Sequence, residues 1–276
     1  MIVVSAASGG LGRLVVDHLL ARRPASHIAV AVRTPERVAD LAARGVQVRR
    51  GDYDEPDTLR TAFEGADRLL LISSPELDPG RRIRQHQAAL DAARAADVGA
   101  VAYTSFLDAD TRSDGVTAAH HATEHALKAS GLPHTVLRHP FYSEGFLRPA
   151  LQHALHAAEL RDATEGRGLN TASRADLAEA AARVLSEDDH VGRAYDFTGT
   201  LWTYPELAQA LTRVSGRPVA HCVRHVPAPG VQGWLEGQIR AGALERQTDD
   251  LARVLHRPPA ALQETLTQLL AEIPVT

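Results

Sequence analysis

The chain has 276 residues, 44% of them hydrophobic and 23% charged, enough apolar side chain for a substantial core without disulfide or metal staples. With 30 basic and 34 acidic residues the formal net charge is -4, and no long run of either sign offers a surface for nucleic acid. The one cysteine, Cys222, excludes an internal disulfide and a cysteine-rich metal site, and no apolar run nears the roughly 20 residues of a membrane span, so a cytoplasmic protein without membrane partner is expected.

MIVV opens a β-branched run, and SAASGGLGRLVVDHLL follows with Leu11, Leu14, Val15 and Leu19 at helical spacing, which predicts strand, tight turn and amphipathic helix. Further extended runs occur at 28–33, 46–52, 69–73, 100–105 and 135–139. Helical patterns separate them at about 10–23, 35–44, 56–64, 81–97 and 115–130. Strands alternating with helices need crossovers, so the expected class is α/β, a Rossmann-type doubly wound parallel sheet over residues 1–145. Beyond Pro140 the pattern turns helical, at about 143–158, 174–187, 204–215, 231–245 and 259–272. This predicts a smaller, mostly helical C-terminal lobe over 146–276, interleaved with the first because AYDFTG at 194–199 should return to the sheet.

The first turn reads (A/G)-x-x-G-x-x-G, from Ala6 through Ala7, Ser8, Gly9, Gly10 and Leu11 to Gly12. Gly9 lets the backbone approach a pyrophosphate and Gly12 lets helix pack on strand, while the helix start faces the anion. Alanine at position 6 is tolerable where its φ stays negative. At the end of the second strand, where an NAD site would carry an acid, stands Arg33, which can clamp a 2′-phosphate but cannot accept from a ribose hydroxyl. NADP is therefore the expected cofactor. Asp52 ends the third strand, where it can accept from an adenine amino group or serve the start of the next helix. Ser73 and Ser74 end the fourth, at the edge where such folds bind ligands.

Taken in order, SAASGGLG, AVRTPERV, RGDYDE, LLLISSPE, AYTSFLDADT and LRHPFYSEGFL resemble the NmrA-like, atypical branch of the short-chain dehydrogenase/reductase superfamily. Within it the chain is most similar to bacterial NADPH-dependent quinone oxidoreductases of the type-2, zinc-free and flavin-free kind. The resemblance runs through about residue 200 and is strongest over the first 145. It implies cofactor contacts from the N-terminal turn, Arg33, the loop Ser73, Ser74, Pro75, and the segment His139, Pro140, Phe141, Tyr142, Ser143, Glu144. Similar reductases have glycine in place of Ala6, lysine in place of His125, and Asn-Gly-Trp-Tyr where this chain has His139 to Tyr142.

Lys128 is the sole lysine, and the residue four before it is Glu124, so the tyrosine–lysine acid/base dyad of general dehydrogenases is absent. Quinone reduction asks less, since the hydroquinone anion is comparatively stable and positioning supplies most of the rate. One donor at the developing oxyanion would help, with Ser105, His125 and Tyr142 as candidates. The expected substrate is a quinone or aromatic ketone. The alternatives are a tailoring reductase using the same site, and a non-catalytic NADP-binding redox sensor. A separate motif, His121, Glu124 and His125, spells the H-x-x-E-H of inverted zinc peptidases, but no third ligand announces itself and no bound metal is expected. A homo-dimer through helical faces would be compatible with the pattern.

Overall fold

In the computed structural model, which describes residues 1–272, each extended run of the first half becomes a strand. In chain order the elements are β1 Ile2–Ser5, α1 Gly10–Leu20, β2 Ile28–Val32, α2 Ala39–Ala43, β3 Gln47–Arg50, α3 Pro56–Phe63, β4 Arg68–Leu71, α4 Pro79–Ala95, β5 Ala100–Phe106, α5 Ala118–Ala129 and β6 His134–His139. They continue with β7 Phe141–Tyr142, α6 Ser143–Ala157, β8 Glu159–Asp162, β9 Leu169–Ala172, α7 Arg174–Ser186, β10 Ala194–Asp196, β11 Thr200–Trp202, α8 Tyr204–Ser215, β12 Ala220–Val223, α9 Gly230–Arg240, α10 Asp250–Leu255 and α11 Leu262–Ala271. The chain forms two compact units, one of Met1–His139 with Leu177–Phe197, the other of Pro140–Asp176 with Thr198 onward.

The first unit carries a seven-stranded sheet in the order β10-β6-β5-β4-β1-β2-β3, parallel at every pairing. β1 and β2 are buried along their whole length, as strands with both faces covered must be, which is why they read as unbroken apolar runs. Leu59, Phe63, Leu90 and Leu127 from the helices pack against Val3, Leu69, Val101 and Val136 of the sheet. At the open edge β3 is polar, and Arg49 donates to the carbonyls of Ala62 and Glu64 at 2.9 and 2.7 Å, which ties that edge to the end of α3. Strand order reverses between β1 and β4, so the carboxyl ends of these two strands flank the crevice in which such sheets take ligands.

The division between units falls at His139, not after residue 145, and most of α7 joins the first unit although its helical pattern grouped it with the C-terminal lobe. The reason is the last strand: β10 pairs with β6 from Ala194 with Val136 to Asp196 with Arg138, and the chain returning to make that pairing brings α7 with it. Arg22 of α1 then reaches Glu179 at 3.4 Å, and Arg68 of β4 donates to the Val184 carbonyl at 3.2 Å. The second unit holds the three-stranded sheet β11-β9-β7, the pair β12-β8, and an apolar core of Leu147, Leu151, Trp202, Leu211, Ile239 and Leu266. Trp202 is fully inside it, with Nε1–H donating to Thr171 Oγ1 at 2.9 Å.

Candidate functional site

The turn between β1 and α1 is built for close approach. Ser8, Gly9 and Gly10 are exposed, Gly9 caps α1 without a side chain, and the first turn of that helix has no acidic residue, so its amide hydrogens and positive end are available to an anion. A Cβ on Gly12 would meet Ala7 Cα at 2.7 Å and Ala6 O at 2.9 Å, whereas one on Gly9 would meet Ala6 O at 3.3 Å. Gly12 is therefore the glycine that helix–strand packing requires. Ala6 departs from the expected negative φ: it sits at +50°, in the left-handed region, because the turn closes by a 3.0 Å bond from Gly9 N–H to Ala6 O. A non-glycine residue there costs about 1–2 kcal/mol.

Arg33 follows β2 and is exposed; its charge adds to the Arg81 bond and the Gln85 bond that hold the Asp54 carboxyl below its ordinary value. Neighbouring Arg13, by contrast, is spent, bonded to both carboxylate oxygens of Asp40 at 2.5 and 2.9 Å and to the Arg37 carbonyl at 2.9 Å. Asp52 accepts from Asp54 N–H at 3.1 Å through Oδ1, and its own N–H donates to Thr58 Oγ1 at 2.9 Å. It thus shapes the turn ahead of α3, whose N-cap is Glu55.

The loop after β4 is held from behind by residues that sequence reasoning missed. Ser73 N–H donates to Thr104 Oγ1 at 2.9 Å, Ser74 N–H to His86 Nε2 at 2.9 Å, and Ser74 Oγ–H to Gln85 Oε1 at 2.5 Å, while Pro75 is exposed. Because a backbone amide can only donate, His86 Nε2 is the acceptor and Nδ1–H faces Thr123 Oγ1 at 2.8 Å. Burial, then the nearby Arg82 charge, pushes His86 down to about 3, so it stays neutral. A second latch is Tyr53, whose hydroxyl reaches Ser5 Oγ at 2.6 Å and the Ile72 carbonyl at 2.7 Å, joining the ends of β1 and β4. The one sequence signal was polarity on buried faces, as with Gln85 and His86 inside α4.

Ser105 lies within β5, 3% exposed, and its hydroxyl donates to Glu124 Oε1 at 2.6 Å. Glu124 is in turn gripped by Arg138, Nε to Oε1 at 2.9 Å and Nη2 to Oε2 at 2.7 Å, with Asp110 and Asp196 each 3.3 Å from Nη1. Burial alone would lower the Arg138 guanidinium's pKa, but bonding to Glu124 prevails and raises it. His125, on α5, is exposed. The elements of H-x-x-E-H are therefore split, with the carboxylate buried, His121 half-buried and His125 exposed.

His139 closes β6, buried, its ring stacked on Phe197 at 6.0 Å and pushed down to about 3 by burial. In the second unit Pro140 is buried, Phe141 meets Phe146 edge-on at 5.3 Å, and the Arg174 guanidinium lies 5.1 Å from the centre of the half-buried Tyr142 ring. Ser143 Oγ donates to Thr171 Oγ1 at 2.9 Å. Glu144 Oε1 accepts from Arg174 N–H at 2.9 Å, but Oε2 is buried without a hydrogen-bond partner, an acceptor that needs a donor. Within the first unit, a cradle that a Cβ would fill and an exposed guanidinium after the next strand fit a phosphorylated dinucleotide.

Comparison with known proteins agrees. Residues 6–188 match the NAD(P)H-binding family. The chain is 42% identical over 284 residues to quinone oxidoreductase 2 of Escherichia coli K12, covering 98% of each protein. It superimposes on the E. coli NADPH-dependent quinone oxidoreductase complexed with NADPH with a TM-score of 0.88 at 35% identity, over 98% of this chain and 100% of that one. The Citrobacter triphenylmethane reductase complexed with NADP(H) gives 0.91 at 34% identity, over 97% and 99%. An NmrA-like oxidoreductase of Aspergillus flavus is 30% identical, over 98% of this chain and 95% of that protein.

Proposed function

The chain belongs to the NAD(P)H-binding family, and from that premise we propose that it is an NADPH-dependent oxidoreductase that passes hydride to a quinone or a related aromatic acceptor. The observation that carries this reading is an uncapped, glycine-lined helix start followed by the exposed guanidinium of Arg33 just past the next strand. The names of the E. coli and Citrobacter relatives support both the cofactor and an aromatic acceptor. No described helix is long and apolar enough to cross a membrane, and with the lone Cys222 this suits a cytoplasmic enzyme.

In this reading the amides from Ala6 to Gly12 and the positive end of α1 hold the pyrophosphate. Arg33 clamps the 2′-phosphate, for which its planar fork is suited, and Asp52 accepts from the adenine amino group. In the first unit the Ser73–Pro75 loop, just beyond the carboxyl end of β4, borders the nicotinamide half; in the second, Glu144 Oε2 is a buried acceptor without a donor. NADPH, when bound, supplies the hydride. What the chain must add is orientation and one proton for the hydroquinone oxygen. Ser105 has already given its hydrogen to Glu124 and serves to fix that pair. Tyr142, half-buried, and His125, exposed, remain as proton donors.

The test follows NADPH absorbance across a panel of benzoquinones and naphthoquinones, beside direct binding of NADPH and NADH. Oxidation with at least one quinone is expected. Arg33→Ala should weaken NADPH about 10–100-fold, from the loss of a charged hydrogen bond of about 1.5–3 kcal/mol, and leave NADH almost unchanged. Tight binding without oxidation of the cofactor would replace the reductase by a redox sensor, and an equal effect of Arg33→Ala on both nucleotides would overturn the NADP assignment.

A further inference from the structure

Helix α5 carries two imidazoles one turn apart, His121 half-buried and His125 exposed, and their ring centroids are 4.5 Å apart. Two imidazoles on one ion at metal–nitrogen distances of about 2.0–2.1 Å place their centroids roughly 4.5 to 5.2 Å apart, for angles at the metal of about 90° to 109°. The observed pair already stands at the near end of that range, and the exposed ring of His125 is free to turn through the rest.

The second observation concerns orientation. His121 Nδ1 lies 2.7 Å from the carbonyl of Ala109, in the loop that follows β5. A carbonyl can only accept, so Nδ1 carries the proton and Nε2 keeps its lone pair, the arrangement by which a backbone oxygen sets a ligand histidine. Neither imidazole joins an ion pair among the described residues. Glu124, between them in sequence, has both carboxylate oxygens on Arg138 and takes no part.

We infer that His121 and His125 form a two-imidazole site for a divalent transition ion, Cu²⁺, Ni²⁺ or Zn²⁺, with water in the remaining positions. Imidazole nitrogens favour these borderline ions over Mg²⁺ or Ca²⁺, and the Irving–Williams order puts Cu²⁺ first. This departs from the absence of metal expected on sequence, which weighed the motif only with its carboxylate. Two protein ligands make the ion exchangeable, and it is not a hydrolytic centre, because the carboxylate that would serve as base is buried elsewhere.

The experiment titrates tag-free protein, stripped with chelator and dialysed, with Cu²⁺ and Zn²⁺ by calorimetry, and records the Cu²⁺ electron paramagnetic resonance spectrum. One ion per chain is expected, with nitrogen splitting. His125→Ala, a surface change, should weaken it about tenfold or more and remove one nitrogen from the spectrum; His121→Ala should do likewise, with circular dichroism confirming the fold. A double variant of His153 and His156 on α6 should bind as the parent does. If His125→Ala binds within about twofold of the parent, or the α6 variant is the one that loses the ion, the site is not there. Binding is read directly, so the outcome stands apart from whether quinones are reduced.

Discussion

Gly12→Ala tests the close packing at the turn to which nucleotide binding is assigned. The added Cβ would stand 2.7 Å from Ala7 Cα and 2.9 Å from Ala6 O. Carbon contacts settle at about 3.5–4.0 Å, so α1 must lift from β1 by about 0.8–1.3 Å. Neither obstacle can swing aside, since both are backbone of a turn closed by the bond from Gly9 N–H to Ala6 O. The helix would lift with its buried residues Leu11, Val15, Val16 and Leu19. Overpacking of this kind costs about 1–3 kcal/mol, and rigid neighbours put it near the upper figure. Alanine's better helix propensity returns about 1 kcal/mol, leaving about 2 kcal/mol net. Thermal unfolding without cofactor should therefore shift down by about 4–8 °C. The amides at the start of α1 move with the helix, and a displacement near 1 Å degrades positioning by up to about 100-fold, so the Kd for NADPH should rise about 10–100-fold. A variant that melts within about 1 °C of the parent and binds NADPH within about twofold would refute the close-packing argument.

Ala6→Gly should act oppositely. It removes about 1–2 kcal/mol of left-handed strain against a backbone-entropy cost of about 0.5–1 kcal/mol, so a gain of about 0.5–1 kcal/mol in urea unfolding is expected, and a lower midpoint would count against the strain. Glu124→Ala strands the buried Arg138 guanidinium and the Ser105 hydroxyl, a loss of about 3–5 kcal/mol softened by Asp110 and Asp196, which keep Nη1. Glu124→Gln, which still accepts from Ser105, should lose less; equal losses, or an alanine variant within about 1 kcal/mol of the parent, would show the pair to be unimportant. The third concerns pH. His86 is held at about 3 when folded and returns to about 6.5 when unfolded, so below 6.5 the unfolded chain binds the extra proton and stability falls with pH, by about 2 kcal/mol at pH 5 from this residue. Urea midpoints at pH 7 and pH 5 should differ in that direction, and His86→Gln should flatten the difference; an unchanged slope in the variant would place the titration elsewhere.

The architecture was legible because it is written in local period. Apolar runs of a few residues alternate with amphipathic stretches, and strands such as β1 and β2, covered on both faces, are almost wholly apolar. What local period does not carry is pairing at a distance. α7 reads the same whether it covers the sheet or a separate lobe, and only the pairing of β10 with β6 assigns it. The short strands β7, β8, β9 and β11 have two to four residues each, too few for alternation to register.

The site was legible in the same measure. The glycine turn and Arg33 could be located from position along the chain, just beyond the first two strands. Which way a residue on α5 faces is a different matter. His120, Thr123, Glu124 and Leu127 form the buried stripe, and His121, His125 and Lys128 lie outside it. A charged residue enters such a stripe only if a partner waits, and Glu124's partner is Arg138, on the strand that follows the helix, with Ser105 on the strand before it. Motif spacing placed the carboxylate with the imidazoles because it counted residues along one helix. The charge balance of the core, assembled from β5, α5 and β6 together, turned it the other way, and in doing so left two imidazoles to act as a pair without it.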